Sequence, residues 1–269
     1  MTTAAGRALV TGGCSGIGRA VAAELARHGY GLVLVSNQTD ALAVTAAALR
    51  AEHGVEVEAI VMDLARPEAA AELHARVRSD GRAVDVLVNN AGMFFFGEAA
   101  DAAPERANRM LQLHVVTPSL LCTLFGRDMR ARRRGHILIV SSISAWRDFP
   151  GISYYGSSKK YLRGFARALR SELGVYGVNV TCLAPGATAT ALYDPAVVNV
   201  DLARRLGVMM DADRVAAAGV RAMLAGRAEC TPGLLNRAMA VLAAATPQPV
   251  VDLVRRRAPW LPRARREGA

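Results

Sequence analysis

The sequence predicts an α/β fold, a doubly wound parallel sheet with helices on both faces, in a single domain. Three observations carry this. From residue 8 to residue 225, apolar runs of strand length alternate with longer segments of helical period, an alternation that signals parallel pairing through crossover helices. A glycine-rich turn joins the first run to the first helix, the usual site of close backbone approach to a phosphate. Hydrophobic residues make up 52% of 269 positions, enough to bury a full core.

In chain order, residues 8–11 read as a short buried strand and 17–28 as a helix stopped by Gly29. A second strand spans 32–35, a helix 40–53 ends at Gly54, and a third strand covers 55–62. Residues 67–79 form a helix with proline in its first turn. After a fourth strand at 84–88, residues 104–133 are helical; Pro118 kinks them and Gly135 stops them. A fifth strand at 137–141 leads to a helix over 153–176, closed by Gly177, and a sixth strand over 178–183. The less regular stretch 188–207 follows a strand end, which places it over the edge of the sheet where ligands bind. Asp211 caps a helix over 211–225; short helices at 233–245 and 249–257 flank a last strand near Cys230. Residues 1–248 therefore make one domain and 249–269 a basic C-terminal helix or tail.

Composition narrows the classes. Four cysteines stand far apart without a CxxC, which predicts reduced thiols in a cytoplasmic protein and no metal site. No apolar run reaches the roughly 20 residues of a membrane span. The net charge of +10 gathers at residues 130–134 and 255–266 without a nucleic-acid-binding motif, so no nucleic-acid partner is expected. The segment 249–266 combines apolar residues with six arginines. It is expected to pack on its own subunit with the arginines outward, contact with an anionic membrane surface being the alternative.

The chemistry centres on Tyr155 and Lys159. Four apart on a helix, they share a face. An ammonium beside a phenol favours the phenolate, which suits an acid/base for carbonyl–alcohol interconversion. Of 33 basic residues only Lys159 and Lys160 are lysines, so a compact ammonium is singled out. Ser142, 13 residues upstream, ends the fifth strand with a hydroxyl suited to hold a substrate oxygen. Gly12, Ser15, Gly16, Ile17 and Gly18 form the glycine turn, where small residues and a helix N-terminus favour a pyrophosphate. Asn90, Ala91 and Gly92 follow the fourth strand, and Pro185, Gly186, Thr188 and Thr190 the sixth; their hydroxyls suit a carboxamide.

Together, in this order and spacing, these motifs resemble the short-chain dehydrogenase/reductase family over roughly residues 7–225. The resemblance implies a Rossmann sheet and a nicotinamide dinucleotide as hydride carrier. It makes Tyr155 the acid/base, gives Lys159 the nicotinamide ribose, lets Ser142 orient the substrate and sets Asp63 and Leu64 beside the adenine. Gly54-Val-Glu-Val, the loop 146–151 and the stretch 232–237 resemble the branch containing hydroxysteroid dehydrogenases and long-chain 3-ketoacyl reductases. The family's helical asparagine, which holds a relay water, is replaced by His114, and Thr188 stands where Ile or Val is usual. A neutral His114 is expected to pass protons to the Tyr155–Lys159 pair, or else only to fill the helix kink. Pairing of the helices at 104–133 and 153–176 across a two-fold implies a homodimer or homotetramer.

The second strand ends in Ser36 and Asn37 without a carboxylate. This favours NADP, with NAD still possible. Phe94, Trp146, Phe149 and Tyr193 are expected to wall an apolar or aromatic ketone pocket, although three successive phenylalanines cannot all face one cavity. The expected activity is NAD(P)-dependent interconversion of a bulky small-molecule ketone and its secondary alcohol. The alternatives are a catalytically weak dinucleotide-binding regulatory or scaffold protein, or an epimerase or dehydratase.

Overall fold

A computed structural model describes residues 6–189 and 209–257. Thr190, Tyr193 and the tail beyond residue 257 lie outside them. Six consecutive strands and their crossovers build the sheet: β1 (Gly6–Thr11), β2 (Tyr30–Ser36), β3 (Val57–Val61), β4 (Val86–Asn89), β5 (Gly135–Val140) and β6 (Val178–Leu183). A two-residue strand, β9 (Glu229–Cys230), completes a seven-stranded parallel sheet of order β3-β2-β1-β4-β5-β6-β9. The order reverses at β1 and β4, which is the topological switch point of a doubly wound sheet. Two further short strands, β7 (Thr188–Ala189) and β8 (Met210–Asp211), pair in parallel as a separate two-stranded sheet.

The pleat sorts the core into two layers. Ala8 and Val10 of β1 pack with Val21 and Leu25 of α1 (Gly16–Arg27), Leu42 of α2 (Thr39–His53) and Val215 of α7 (Ala212–Leu224). Leu9, between them in sequence, points the other way. It joins Leu73 of α3 (Ala69–Arg78), Phe125 of α5 (Thr117–Arg132) and Leu162 of α6 (Ser153–Gly174). Each fully buried Leu of this kind contributes about 2 kcal/mol. The expected elements are present with shifted ends. The third strand is shorter than its apolar run, and Pro67 precedes α3 in a turn instead of sitting inside it.

Two differences matter for the site. Helix α4 (Pro104–Leu111) is joined to α5 by one π turn, Gln112–Val116. Pro118 has no N–H to give the carbonyl four residues back, so the bend falls before the proline and widens the helix around His114. At the far end of α5, Arg133 itself takes the left-handed conformation (φ 54°). Gly135 is needed for a different reason, since a Cβ there meets Met129 Cγ at 2.5 Å. After β9 come α8 (Leu234–Ala245) and α9 (Gln248–Arg257). No helix among the described residues is long and apolar enough to cross a membrane.

Candidate active site

Because the strands are parallel, their carboxyl ends share one edge, and the turns leaving them converge there. They enclose a cavity of about 630 Å³. Gly12, Ser15, Gly16 and Ile17 line it after β1, Ser36, Asn37 and Gln38 after β2, and Asp63 and Leu64 after β3. Asn90, Ala91 and Gly92 follow β4, Ser142 follows β5, and Pro185, Gly186 and Thr188 follow β6, while His114, Tyr155 and Lys159 come from the helices.

The glycine turn works through what is missing. Gly12 and Gly16 have φ of 65° and 49°, the left-handed region that glycine enters without steric cost. Ser15, the N-cap of α1, makes no side-chain cap bond, and the first turn carries no acidic residue. The helix N-terminus is thus open to an anion. Gly18 does not line the cavity. A Cβ there falls 2.1 Å from Gly12 O and 2.4 Å from Asn90 Nδ2, so its task is close helix–strand packing.

Thr11, which sequence reasoning passed over, ties two turns together. Its Oγ1 accepts from Asn90 N (2.9 Å) and Ala91 N (3.1 Å) and donates to Val88 O (3.1 Å). Asn90 Nδ2 returns to Thr11 O at 3.0 Å. Its neighbour Asn89 instead donates to Pro118 O and Cys122 Sγ on α5. At the second turn Ser36 Oγ is already engaged, accepting from Gln38 N and Cys14 Sγ, both at 3.1 Å. Asn37 and Gln38 remain the groups facing outward there. Asp63 forms an ion pair with Arg109 (2.9 Å), a cation on α4 that also lines the cavity.

Tyr155 and Lys159 sit on the first turns of α6. Lys159 is 5% exposed, donates from Nζ to Val140 O (3.0 Å) and lies 5.6 Å from the centre of the Tyr155 ring. Burial pushes its ammonium down to about 8. Ser141, one residue before Ser142, donates to Lys159 O at 2.7 Å and so fixes the helix against β5. Ser142 Oγ accepts from Ser144 N (3.2 Å) in a short 3-10 turn.

His114 reaches the Tyr155 helix from the π turn. Its Nε2 accepts from Met93 N and its Nδ1 faces Ser158 Oγ, each at 2.9 Å. The acceptor role of Nε2 puts the proton on Nδ1, which donates to Ser158; Ser158 then donates to Tyr155 O at 2.7 Å. Burial, and then the Lys159 ammonium, hold the ring's pKa well below its usual value. Both ring nitrogens are therefore engaged by the protein, and neither is left for the water that the expected relay requires. Ser158 was not singled out from the sequence; only the i, i+3 return to Tyr155 would have suggested it.

The aromatic wall divides. Phe94, Phe96 and Phe149 line the cavity, and Phe94 meets the Tyr155 ring edge-on at 5.0 Å. Phe95 turns away, beside Tyr154 and under the Arg106 guanidinium. Trp146 does not line the cavity either. Its face is covered by Arg163, 4.1 Å from the ring centre, which removes it from the expected pocket. Met239 and Ala243 of α8, not anticipated, complete the rim.

A glycine turn at the switch point of a parallel sheet, opening on a buried lysine beside a tyrosine, defines a Rossmann-type α/β domain. Comparison with known proteins agrees: a model of the short chain dehydrogenase family matches residues 7–199, and the chain belongs to that family. Dehydrogenase/reductase SDR family member 4 of Sus scrofa is 35% identical over 184 residues, 68% of this chain and 66% of that relative, so the chain spans just under two thirds of that relative's length. The short-chain dehydrogenase from Sphingobium yanoikuyae in complex with NADPH superposes with a TM-score of 0.78 at 30% identity, over 90% of this chain and 97% of that one. The bulky-bulky ketone specific alcohol dehydrogenase from Comamonas testosteroni gives 0.76 at 25% identity, over 99% and 98%.

Proposed function

We propose that the protein is an NADP-preferring ketoreductase that interconverts a bulky apolar or aromatic ketone and its secondary alcohol. The observation that carries this is the meeting of Ser142, Tyr155 and a buried Lys159 in the same cavity as the open glycine turn. A dinucleotide fits the groups present: two positive-φ glycines in the turn, an uncapped helix N-terminus without acidic neighbours, and no carboxylate at residues 36–38. When bound, the nicotinamide supplies or receives the hydride. Gly12, Gly16 and the α1 N-terminus would hold the pyrophosphate, and Asn37 and Gln38 the ribose end.

Ser142 orients the substrate oxygen, and Tyr155 Oη transfers the proton to it in reduction or takes it in oxidation. Lys159 favours the phenolate by its charge and would hold the nicotinamide ribose. His114 keeps the Tyr155 helix in place. Phe94, Phe96 and Phe149 offer the apolar surface, and the likeness to the bulky-bulky ketone specific alcohol dehydrogenase from Comamonas testosteroni supports that substrate class. Exposed Leu111, Val116, Leu120 and Tyr161 on α4–α6 and the π turn suit a two-fold contact, so a homodimer or homotetramer is part of the reading. The rival, binding without turnover, is favoured only by His114.

The test is a panel of bulky ketones and secondary alcohols with both cofactors, followed by reduced-nicotinamide absorbance. Tyr155→Phe should lower turnover at least about a hundredfold while leaving dinucleotide binding intact. A variant reducing ketones at near wild-type rate removes Tyr155 from the role of acid.

A further inference from the structure

Helix α8 is amphipathic the wrong way round for a covering helix. Asn236 and Ala240 are buried, whereas Leu234, Leu235, Val241 and Leu242 are 81%, 55%, 69% and 62% exposed. At 100° per residue these four, with Met239, occupy a continuous arc of about 160°, in which no charged residue falls. Arg237, at the margin, is the only charged residue of α8. Helix α9 repeats the pattern: Val251 faces inward, while Val250, Leu253 and Val254 are 45% to 52% exposed along one face that also holds Arg257.

A run of exposed aliphatic side chains on two successive helices exceeds what an isolated surface leucine explains. Charge selects the occupant. Among the described residues from 231 onward there are four arginines, Arg237, Arg255, Arg256 and Arg257, and one acidic residue, Asp252. A second copy seated on this face by a two-fold axis would set that positive charge against itself. An anionic, apolar-centred surface would not.

We infer that α8 and α9 form a docking face for an anionic lipid bilayer, with the aliphatic arc entering the headgroup–acyl boundary and the arginines meeting lipid phosphates. The chain contacts the surface without crossing it. Both helices are tied to the body of the fold: Arg147 donates to Ala243 O and Ala244 O (3.0 and 2.9 Å), and Arg255 pairs with Glu98. Because Met239 and Ala243 also form the cavity rim, the docked face adjoins the cavity mouth, where an apolar molecule could enter from the lipid. The docking itself does not depend on the proposed reaction.

Flotation of the full chain with phosphatidylcholine vesicles, with and without phosphatidylglycerol, tests this. Wild type should float with the anionic vesicles and lose most of that binding in high salt. Leu234→Glu/Leu242→Glu and Arg256→Glu/Arg257→Glu should each lower the partition about tenfold or more, with unchanged circular dichroism and melting temperature. Light scattering of the same proteins separates the alternative. If wild type ignores anionic vesicles, or if the leucine variant binds them equally well, the lipid face is wrong. If the leucine variant instead changes the particle mass without lipid and wild type does not float, a second copy covers the arc and the inference falls.

Discussion

Replacing His114 by leucine separates a positioning residue from a relay. The imidazole accepts from Met93 N and donates to Ser158 Oγ, both at 2.9 Å. Leucine fills a similar volume but leaves the Met93 donor unpaired, while Ser158 keeps its bond to Tyr155 O. A buried donor without a partner costs about 1–3 kcal/mol, and the lost bond to Ser158 about 1 more. The apolar side chain recovers about 1 kcal/mol by burial. The net loss at pH 7.5 is therefore about 2 kcal/mol, a fall in melting temperature of about 5 °C in a chain of this size.

The pH dependence is the sharper reading. Burial and the Lys159 ammonium lower the His114 pKa in the folded protein. The unfolded chain therefore binds the extra proton first as pH falls below about 6.5, and wild-type stability drops with it by about 1.4 kcal/mol per pH unit. This loss falls on wild type and is absent from His114→Leu, so the gap between the two should narrow as pH falls toward 5. His136, also lowered by burial, acts equally in both proteins and cancels in the difference. Urea unfolding between pH 7.5 and 5 measures this, with His114→Asn expected to recover about half the loss by serving one of the two partners. Equal slopes for wild type and His114→Leu would refute the buried neutral imidazole. A loss of turnover far beyond the loss of stability would restore the relay.

Three further outcomes are expected. NADPH should bind more tightly than NADH, with part of the preference removed by salt; equal dissociation constants by titration calorimetry would overturn the reading of Asn37 and Gln38. Gly18→Ala should destabilise by about 1–3 kcal/mol in urea melts, because its Cβ meets Gly12 O at 2.1 Å and that backbone is braced by Asn90. Lys159→Met should abolish turnover yet raise stability at pH 7 by about 1–2 kcal/mol. The folded pKa of about 8 lies below the unfolded value, so burying the charged lysine is a net cost below pH 8; a lower melting temperature at pH 7 would contradict this.

How much was legible from the sequence follows from the range of each interaction. Local period and turn chemistry fix strands and helices, and so the α/β class, the order of elements and the glycine turn were readable. The Tyr155–Lys159 pair was readable because it lies within one helical turn. Parallel strands deliver every turn to one edge, so motifs far apart in sequence could be assigned to one site. What local pattern cannot specify is which way a side chain turns and what meets it across the fold. Phe94 and Phe96 differ from Phe95 only in the packing of a loop, and Trp146 leaves the pocket because Arg163, from another helix, covers it. His114 could be marked as unusual by position. Its role needed Met93, 21 residues before it, and Ser158, 44 after it, which only the folded chain brings to its two nitrogens.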